Sequence, residues 1–447
     1  MDTIDLLVRE AMLFAAVGLL VGGIDDLAVD LLYWLRRIWR CRRPAATVAG
    51  LPVPGRPGRL FVFVPAWDEE PVIAAMLATA LARYDHPDFA IHVGLYPNDA
   101  ATIAAARTVA DRDRRVRLVI GPRPGPTTKA DCLNSLWRDL MSLDRPAKAV
   151  ILHDAEDVVH PDELRVFDSL IERHGVVQLP VLPLIAPGSI VGAHYADDFA
   201  QAHANHLAVR TALGAGMPLA GTGCAIAVET LAGLAAGNGG DPFDPDSLVE
   251  DYELGLRIAA LGHGAIFARL LDADGEIVAV RAYFPDTLAA AVKQKARWIT
   301  GIALAGWDRT GWGRPLAIME HWWRARDRRT PLAMLLLLVA YLAVPAWLAS
   351  AVGHWWTGTP VAPLPPLLRT LLAINAGLLA WRIAMRAIFT AQAYGWRQGF
   401  WSVPRLLVGN LVAMLAAARA IRRYVAMMRG RPLAWEKTAH VFPDAPA

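Results

Sequence analysis

Residues 331–352 contain no charged side chain, and this run limits what the chain can become more than any other stretch. A helix rises about 1.5 Å per residue and the hydrocarbon core of a bilayer is about 30 Å thick, so the run is long enough to span one. Arg324, Arg326, Arg328 and Arg329 stand just before it. Basic residues stay on the cytoplasmic side, which starts this helix inside. Residues 367–389 read as the return span, with Arg382 and Arg386 able to snorkel toward the inner face. The loop between them holds Trp355 and Trp356, an aromatic belt on the outside. Residues 404–421 are apolar but carry Arg405, Asn410 and Arg419, and Arg422, Arg423, Arg429 and Arg431 follow. A further single crossing would put those arginines outside, so this segment reads as an interfacial helix.

At the other end, residues 4–24 read as a spanning helix and 27–39 as an amphipathic interfacial one, closed by Arg36, Arg37, Arg40, Arg42 and Arg43. Asp5, Arg9, Glu10, Asp25 and Asp26 flank or interrupt the apolar run, so a soluble amphipathic helix is the competing reading. No basic leader region or cleavage site accompanies it, which argues against a signal peptide. The net charge of +3 gives no electrostatic footprint for nucleic acid, and none is expected as a partner. Cys41, Cys132 and Cys224 are too few and too far apart for a disulfide framework or a zinc site, which suits a reducing compartment. The chain divides into a membrane and interfacial segment over 1–43, a Pro/Gly-rich linker over 44–58, a cytoplasmic domain over 59–310, a basic juxtamembrane segment over 311–330, two spanning helices within 331–389, and an interfacial helix with a cytoplasmic tail over 390–447.

Within 59–310 the pattern alternates strand and helix. Strands are expected over 60–65, 89–96, 115–120 and 149–152, with helices over 71–84, 100–111 and 128–143 between them. Such alternation builds a mainly parallel sheet covered by helices on both faces. Three of these strands end in acidic or amide residues: Asp68-Glu69-Glu70, Asn98-Asp99, and Asp154-Ala155-Glu156-Asp157. Ligands of open α/β sheets bind at the carboxyl ends of the strands. Gathered carboxylates call for a hard divalent cation, which also bridges to phosphate oxygens. For the Asp154 cluster alone, a helix cap by Asp157 or Asp162 is an equally good reading.

Further along, a strand is expected over 176–184 and a helix over 195–213. That helix carries His203 and His206, with no third ligand at metal spacing. Gly221-Thr222-Gly223-Cys224 reads as a tight turn or as a place where backbone approaches a ligand. Ser247 with Glu250 three residues on fits a capping box, which leaves Asp251 beside it unexplained. In the helix expected over 287–306, Gln294, Arg297 and Trp298 share one face. A basic and aromatic face suits a diphosphate and a sugar ring, or the membrane surface.

Taken in order, these motifs resemble the family-2 glycosyltransferases, and especially their membrane-embedded, cellulose-synthase-like branch. The likeness rests on Val64-Pro65-Ala66-Trp67-Asp68-Glu69, Asn98-Asp99, Lys129-Ala130-Asp131, Asp154-Ala155-Glu156-Asp157, Glu250-Asp251 and Gln294-Lys295-Ala296-Arg297-Trp298, spread over about 58–310. Gly22-Gly23-Ile24-Asp25-Asp26, Tyr96-Pro97-Asn98-Asp99 and Trp435-Glu436-Lys437-Thr438-Ala439-His440 are most similar to the bacterial phage-adsorption class of that family. Larger members carry a cytoplasmic regulatory domain after this point, and with Ala447 last that domain is expected to be absent.

The resemblance implies an α/β fold of GT-A type: a Rossmann-like mixed, mainly parallel sheet with flanking transmembrane and interfacial α-helices. It implies a multi-pass protein of the bacterial inner membrane. The activity implied is inverting transfer from a nucleotide-diphosphate sugar, a UDP-sugar by preference, to a saccharide or lipid-linked acceptor, with Mg²⁺ or Mn²⁺. An exopolysaccharide product and an export partner protein fit the same picture. Pro65, Asp68, Glu69, Asp99, Lys129 and Arg297 would hold the donor, and Gly223, Cys224, Gln294 and Trp298 the acceptor. Asp251 would be the general base, with Glu250 beside it. Asp154 would hold the metal, together with Glu156 or Asp157. The family's pattern has Asp where this chain has Glu156, so the second ligand is open between the two. The alternative is a catalytically silent receptor or scaffold of the same fold.

Overall fold

The computed structural model describes residues 2–40, 45–361, 363–430 and 440–443. Cys41, Arg42, Arg43, Arg431 and the stretch 435–439 lie outside the described residues.

The part between the first helix and the long apolar helices is built on a seven-stranded sheet. Its strands are β1 (Arg59–Pro65), β2 (Phe89–Leu95), β3 (Val116–Ile120), β4 (Ala147–Leu152), β5 (Val176–Gln178), β6 (Cys224–Ala227) and β7 (Ala265–Phe267), in the order β3-β2-β1-β4-β6-β5-β7. The first four run parallel, β6 lies antiparallel between β4 and β5, and β7 is parallel to β5. This is the mixed, mainly parallel arrangement expected. Side chains alternate across a strand, and β1 fills two cores in that way. Leu60, Val62 and Val64 face Ile91, Leu77 and Phe167, while Phe61 and Phe63 face Leu133, Leu136 and Trp137. A strand buried on both faces must be continuously apolar, which is why β1 and β4 are readable as short runs.

Two elements depart from the pattern. The strand expected over 176–184 stops at Gln178, and beyond it only isolated bridges join Val181 to Val280 and Leu184 to Tyr283. Pro180 and Pro183 follow Gln178, and proline cannot donate to a ladder. The helix carrying His203 opens into a π-turn over Ala202–His206. His203 Nδ1 accepts the Val181 N–H at 2.8 Å, a structural role.

The amino-terminal segment is one helix, Asp2–Arg40, rather than a span followed by a separate interfacial helix. Asp5, Asp25 and Asp26 are all paired. Asp5 meets His354 Nε2 at 2.7 Å, Arg326 reaches Asp26 at 3.0 Å, and Arg329 donates to Asp25. Between the two clasps Val8, Met12 and Ala16 pack against Ala343 and Leu368.

Thr330–Thr357, Pro366–Tyr394 and Trp396–Met428 are each long and apolar enough to cross a membrane. The last contains the segment expected to lie at the interface, which carries the polar residues Arg405 and Asn410. Those residues have partners inside the protein. Arg405 is bidentate on buried Asp197, Nε at 2.9 Å and Nη2 at 2.8 Å, and Asn410 donates to the Tyr341 hydroxyl at 3.1 Å. Its charge therefore does not force this helix to the surface.

Candidate active site

The carboxyl ends of β1 and β4 and the loop before β6 open into a cavity of about 460 Å³. Pro65, Glu69, Lys129, Asp154, Glu156, Asp157, Glu250, Asp251, Gln294, Arg297 and Trp298 all line it. Eleven candidates drawn from five motifs, spread over more than 200 residues, thus meet at one place.

Lys129 is the first residue of the helix Lys129–Met141, whose N-cap Thr128 accepts the Asp131 N–H. Its ammonium donates to Asp154 Oδ1 and to the Gly221 carbonyl at 3.0 Å, and stands 3.9 Å from Glu250. Burial works against that charge, and Asp154, Glu250 and Asp251 outweigh it, so Lys129 titrates above its ordinary range.

Gly221 and Gly223 have φ of +78° and +59°, where side chains are strained. A Cβ on Gly221 would stand 2.6 Å from Asp251 Oδ2, and one on Gly223 2.6 Å from Val280. The close approach left open by the sequence is therefore required. Buried Gln178 fixes the turn, donating to the Thr222 carbonyl at 2.9 Å and accepting from the Ala220 N–H.

The capping box expected at Ser247 does not form. Ser247 Oγ accepts from the Val249 N–H at 3.2 Å, and the helix Glu250–Ala260 begins only at Glu250. Glu250 is thereby released toward Lys129. Burial raises Asp251 first, the Glu250 charge adds to it, and Lys129 and Arg297 oppose; the carboxyl is pushed up to about 7. That places a carboxylate base near neutrality inside a cavity.

The two candidates for the second metal carboxylate are placed differently. Asp157 Oδ2 accepts from His153 Nδ1 at 2.9 Å, from the Asp154 N–H at 2.8 Å and from the Thr222 hydroxyl. His153 in turn holds Glu163 at 2.7 Å, so both of its ring nitrogens are engaged. Glu156 instead stands beside Glu69 and His440. Its Oε2 is sealed from solvent and receives no hydrogen bond among the described residues. Burial, with Asp154, Asp157 and Glu69 nearby, pushes the Glu156 carboxyl up to about 8 against the pull of His440. Hard oxygen donors crowded in this way are a fit for Mg²⁺ or Mn²⁺.

Four of the expected residues are not on the cavity wall. Asp99 caps the helix Ala100–Ala110 through Thr102 and accepts the Asp68 N–H at 2.6 Å, which holds Asp68 at φ +54°. The pair shapes the loop leading to Glu69. Gly223 and Cys224 are buried behind the wall, where Cys224 pairs with Leu152 across β6 and β4; Thr222 and Ala220 line the cavity in their stead.

Other residues enter unannounced. Asn98 clamps Gly125, accepting its N–H at 2.6 Å and donating to its carbonyl at 2.8 Å, and so seats the Gly/Pro loop against Trp67 and Tyr96. Phe199 and Tyr195 pack around Trp298. The tail residues His440, Val441, Phe442 and Pro443 line the cavity as well. The sequence signal for the tail was the Trp435–His440 motif, to which no chemistry was attached.

Residues 57–301, over half of the chain, match the family model described as "Glycosyltransferase like family 2", and the chain belongs to that family. Its curated relatives include "Bacteriophage adsorption protein B" of Escherichia coli (strain K12) and "Bacteriophage N4 adsorption protein B" of Escherichia coli O157:H7. Each is 36% identical over 469 residues, covering 96% of this chain and 61% of the relative. The chain thus spans about three-fifths of the length of those relatives. Among solved structures it is similar to "Mannosyltransferase PcManGT from Pyrobaculum calidifontis in complex with GDP-Man and Mn2+", at 20% identity and a TM-score of 0.57, covering 91% of this chain and 98% of that one. At that identity the likeness speaks for the GT-A fold alone.

Proposed function

We propose that this chain is an inverting, metal-dependent glycosyltransferase working at the cytoplasmic face of the inner membrane. It moves a sugar from a nucleotide-diphosphate sugar, by preference a UDP-sugar, to a hydroxyl of a saccharide or lipid-linked acceptor. The observation that carries this reading is Asp251. It is a carboxylate pushed up to about 7, in the same cavity as Lys129, Asp154, Glu156 and Arg297. A base of that strength can take a proton from a hydroxyl as the hydroxyl attacks, a contribution of about 10²–10⁴-fold.

In this reading Asp154 and Glu156 would hold the cation, because the lone pairs of Asp157 Oδ2 are taken by three donors. When bound, the cation supplies Lewis-acid stabilisation of charge on the leaving diphosphate. Lys129 fixes Asp154 and keeps Asp251 and Glu250 from repelling each other apart. Arg297 faces the departing phosphates with a planar fork of donors. Gln294 and Trp298, with Phe199 behind, form the wall for the acceptor ring. Asp68, Asp99 and the Asn98-clamped loop would frame the nucleoside beside Trp67. The reading includes a polysaccharide product and an export partner only as extensions of the family likeness.

The experiment is to incubate membranes containing the full chain with a panel of nucleotide sugars and identify the product, with Asp251→Asn in parallel. Transfer by the wild type, lost in the variant while nucleotide still binds, is the expected result. Undiminished transfer by Asp251→Asn would remove the base, and no transfer from any donor would favour the silent scaffold.

A further inference from the structure

Glu69, Glu156 and His440 come from three distant parts of the chain. Glu69 precedes the helix Glu70–Arg83, Glu156 lies in the loop after β4, and His440 follows the last long helix, Trp396–Met428. One ligand atom from each lies within 4.8 Å of the other two. His440 Nδ1 stands 2.9 Å from Glu69 Oε1 and 3.3 Å from Glu156 Oε2. One imidazole therefore faces two carboxylates, while Glu156 Oε2 is sealed from solvent and receives no hydrogen bond among the described residues. Two carboxylates and an imidazole that gives up its proton on binding match the ligand preferences of Mn²⁺-like cations.

The histidine is delivered by a segment with its own seat. Phe442 packs against the core that covers one face of the sheet, and Val441 and Pro443 line the cavity beside it. This segment lies far outside residues 57–301, which carry the family match. We propose that the tail is a strap latched by a divalent cation, with Glu69, Glu156 and His440 as its ligands beside Asp154. The proposal rests on the glycosyl-transfer reading for the use of that cation, not for its binding. Because the third ligand arrives on the tail, cation binding and tail seating favour each other by linkage. Whatever moves the tail then sets the affinity of the donor site for its cation. The rival is a plain clamp, in which the imidazole bridges two glutamates and no cation enters.

The test uses the full chain in detergent with Mn²⁺ alone. Pulsed EPR of bound Mn²⁺ shows ¹⁴N modulation when an imidazole is a direct ligand. The modulation is expected in the wild type and expected to vanish in His440→Ala, with Mn²⁺ affinity falling by about 10-fold or more. His153 is excluded as its source, because both its nitrogens are occupied. Hydrogen exchange of residues 440–443 is expected to slow when Mn²⁺ is added to the wild type and to be unchanged by Mn²⁺ in Glu156→Gln. Bound Mn²⁺ without ¹⁴N modulation, or modulation surviving in His440→Ala, overturns the strap and leaves the transfer reading standing. A nitrogen-ligated Mn²⁺ site in a protein that transfers no sugar keeps the strap and overturns the transfer reading. Failure of the wild type to bind Mn²⁺ overturns both the strap and the metal dependence.

Discussion

Asp198 and Asp251 are both partly buried acids in the same domain, and their surroundings treat them in opposite ways. Burial raises the pKa of each. At Asp198 the charges of Lys295, 2.7 Å away, and Arg386, 2.8 Å away, outweigh it, and the carboxyl is held below its ordinary range. At Asp251 the neighbouring Glu250 adds to it and the carboxyl climbs to about 7. Asp198 belongs to a seam where the sheet-bearing domain meets the long helices. There Asp197 is also met by Arg405, Arg386 and Thr390. Charges that join elements are matched. Charges meant for a substrate are left short of partners until it arrives, a local conflict of the kind expected at functional sites.

The comparison can be broken from either side. The largest effect is expected from Asp251→Asn, which should lower turnover by about 10²–10⁴-fold with donor binding retained, read by initial rates beside equilibrium nucleotide binding. On the matched side, Asp197→Ala leaves Arg405 buried without its carboxylate and should cost about 3–5 kcal/mol, read by denaturant unfolding of the solubilised protein. Gly221→Ala should cost about 1–3 kcal/mol from its φ of +78°, and should also lower turnover, because its Cβ displaces Asp251.

A smaller effect separates the two acids by pH. The base works only when ionised, so kcat/KM should rise with pH to a plateau above about 7, with the limb absent in Asp251→Asn. The same carboxyl binds its proton more tightly folded than unfolded. Its contribution to stability is therefore present below the ordinary aspartate range and lost as pH rises through about 7. At pH 8 the inactive Asp251→Asn should consequently be more stable than the wild type, by about 0.5–2 kcal/mol. Equal or lower stability would mean that Asp251 is not under electrostatic strain.

Much of the site was legible because its signals are local. The apolar runs of β1 and β4 and the acids behind them are features of a few neighbouring residues, and they met in one cavity. What failed depended on partners far along the chain. Arg405 looked like an unmatched charge in an apolar run because Asp197, its partner, is 208 residues away. Asp25 and Asp26 suggested a break in the first helix because Arg326 and Arg329 are some 300 residues distant. The Ser247–Glu250 spacing fitted a cap, but Ser247 bonds within its own turn and frees Glu250 for Lys129. His440 was seen as part of a motif, yet a lone histidine acquires chemistry only when the fold brings Glu69 and Glu156 to it.

The two clasps on the first helix have a mechanical consequence. Asp5 and Asp25 are twenty residues apart, about 30 Å of helix, and each is fastened to the segments beside it, Asp5 by a hydrogen bond with His354 and Asp25 by an ion pair with Arg329. If this bundle crosses a bilayer, the clasps act as end stops for its apolar length. A thicker or thinner membrane must then deform or tilt the helices, at a fraction of a kcal/mol per Å. Through the Asp197 and Asp198 seam that tilt would reach the helix bearing Gln294, Arg297 and Trp298, because Lys295 on the same helix is tied to Asp198. Lipid thickness would thereby become a variable of the cavity wall that these residues form.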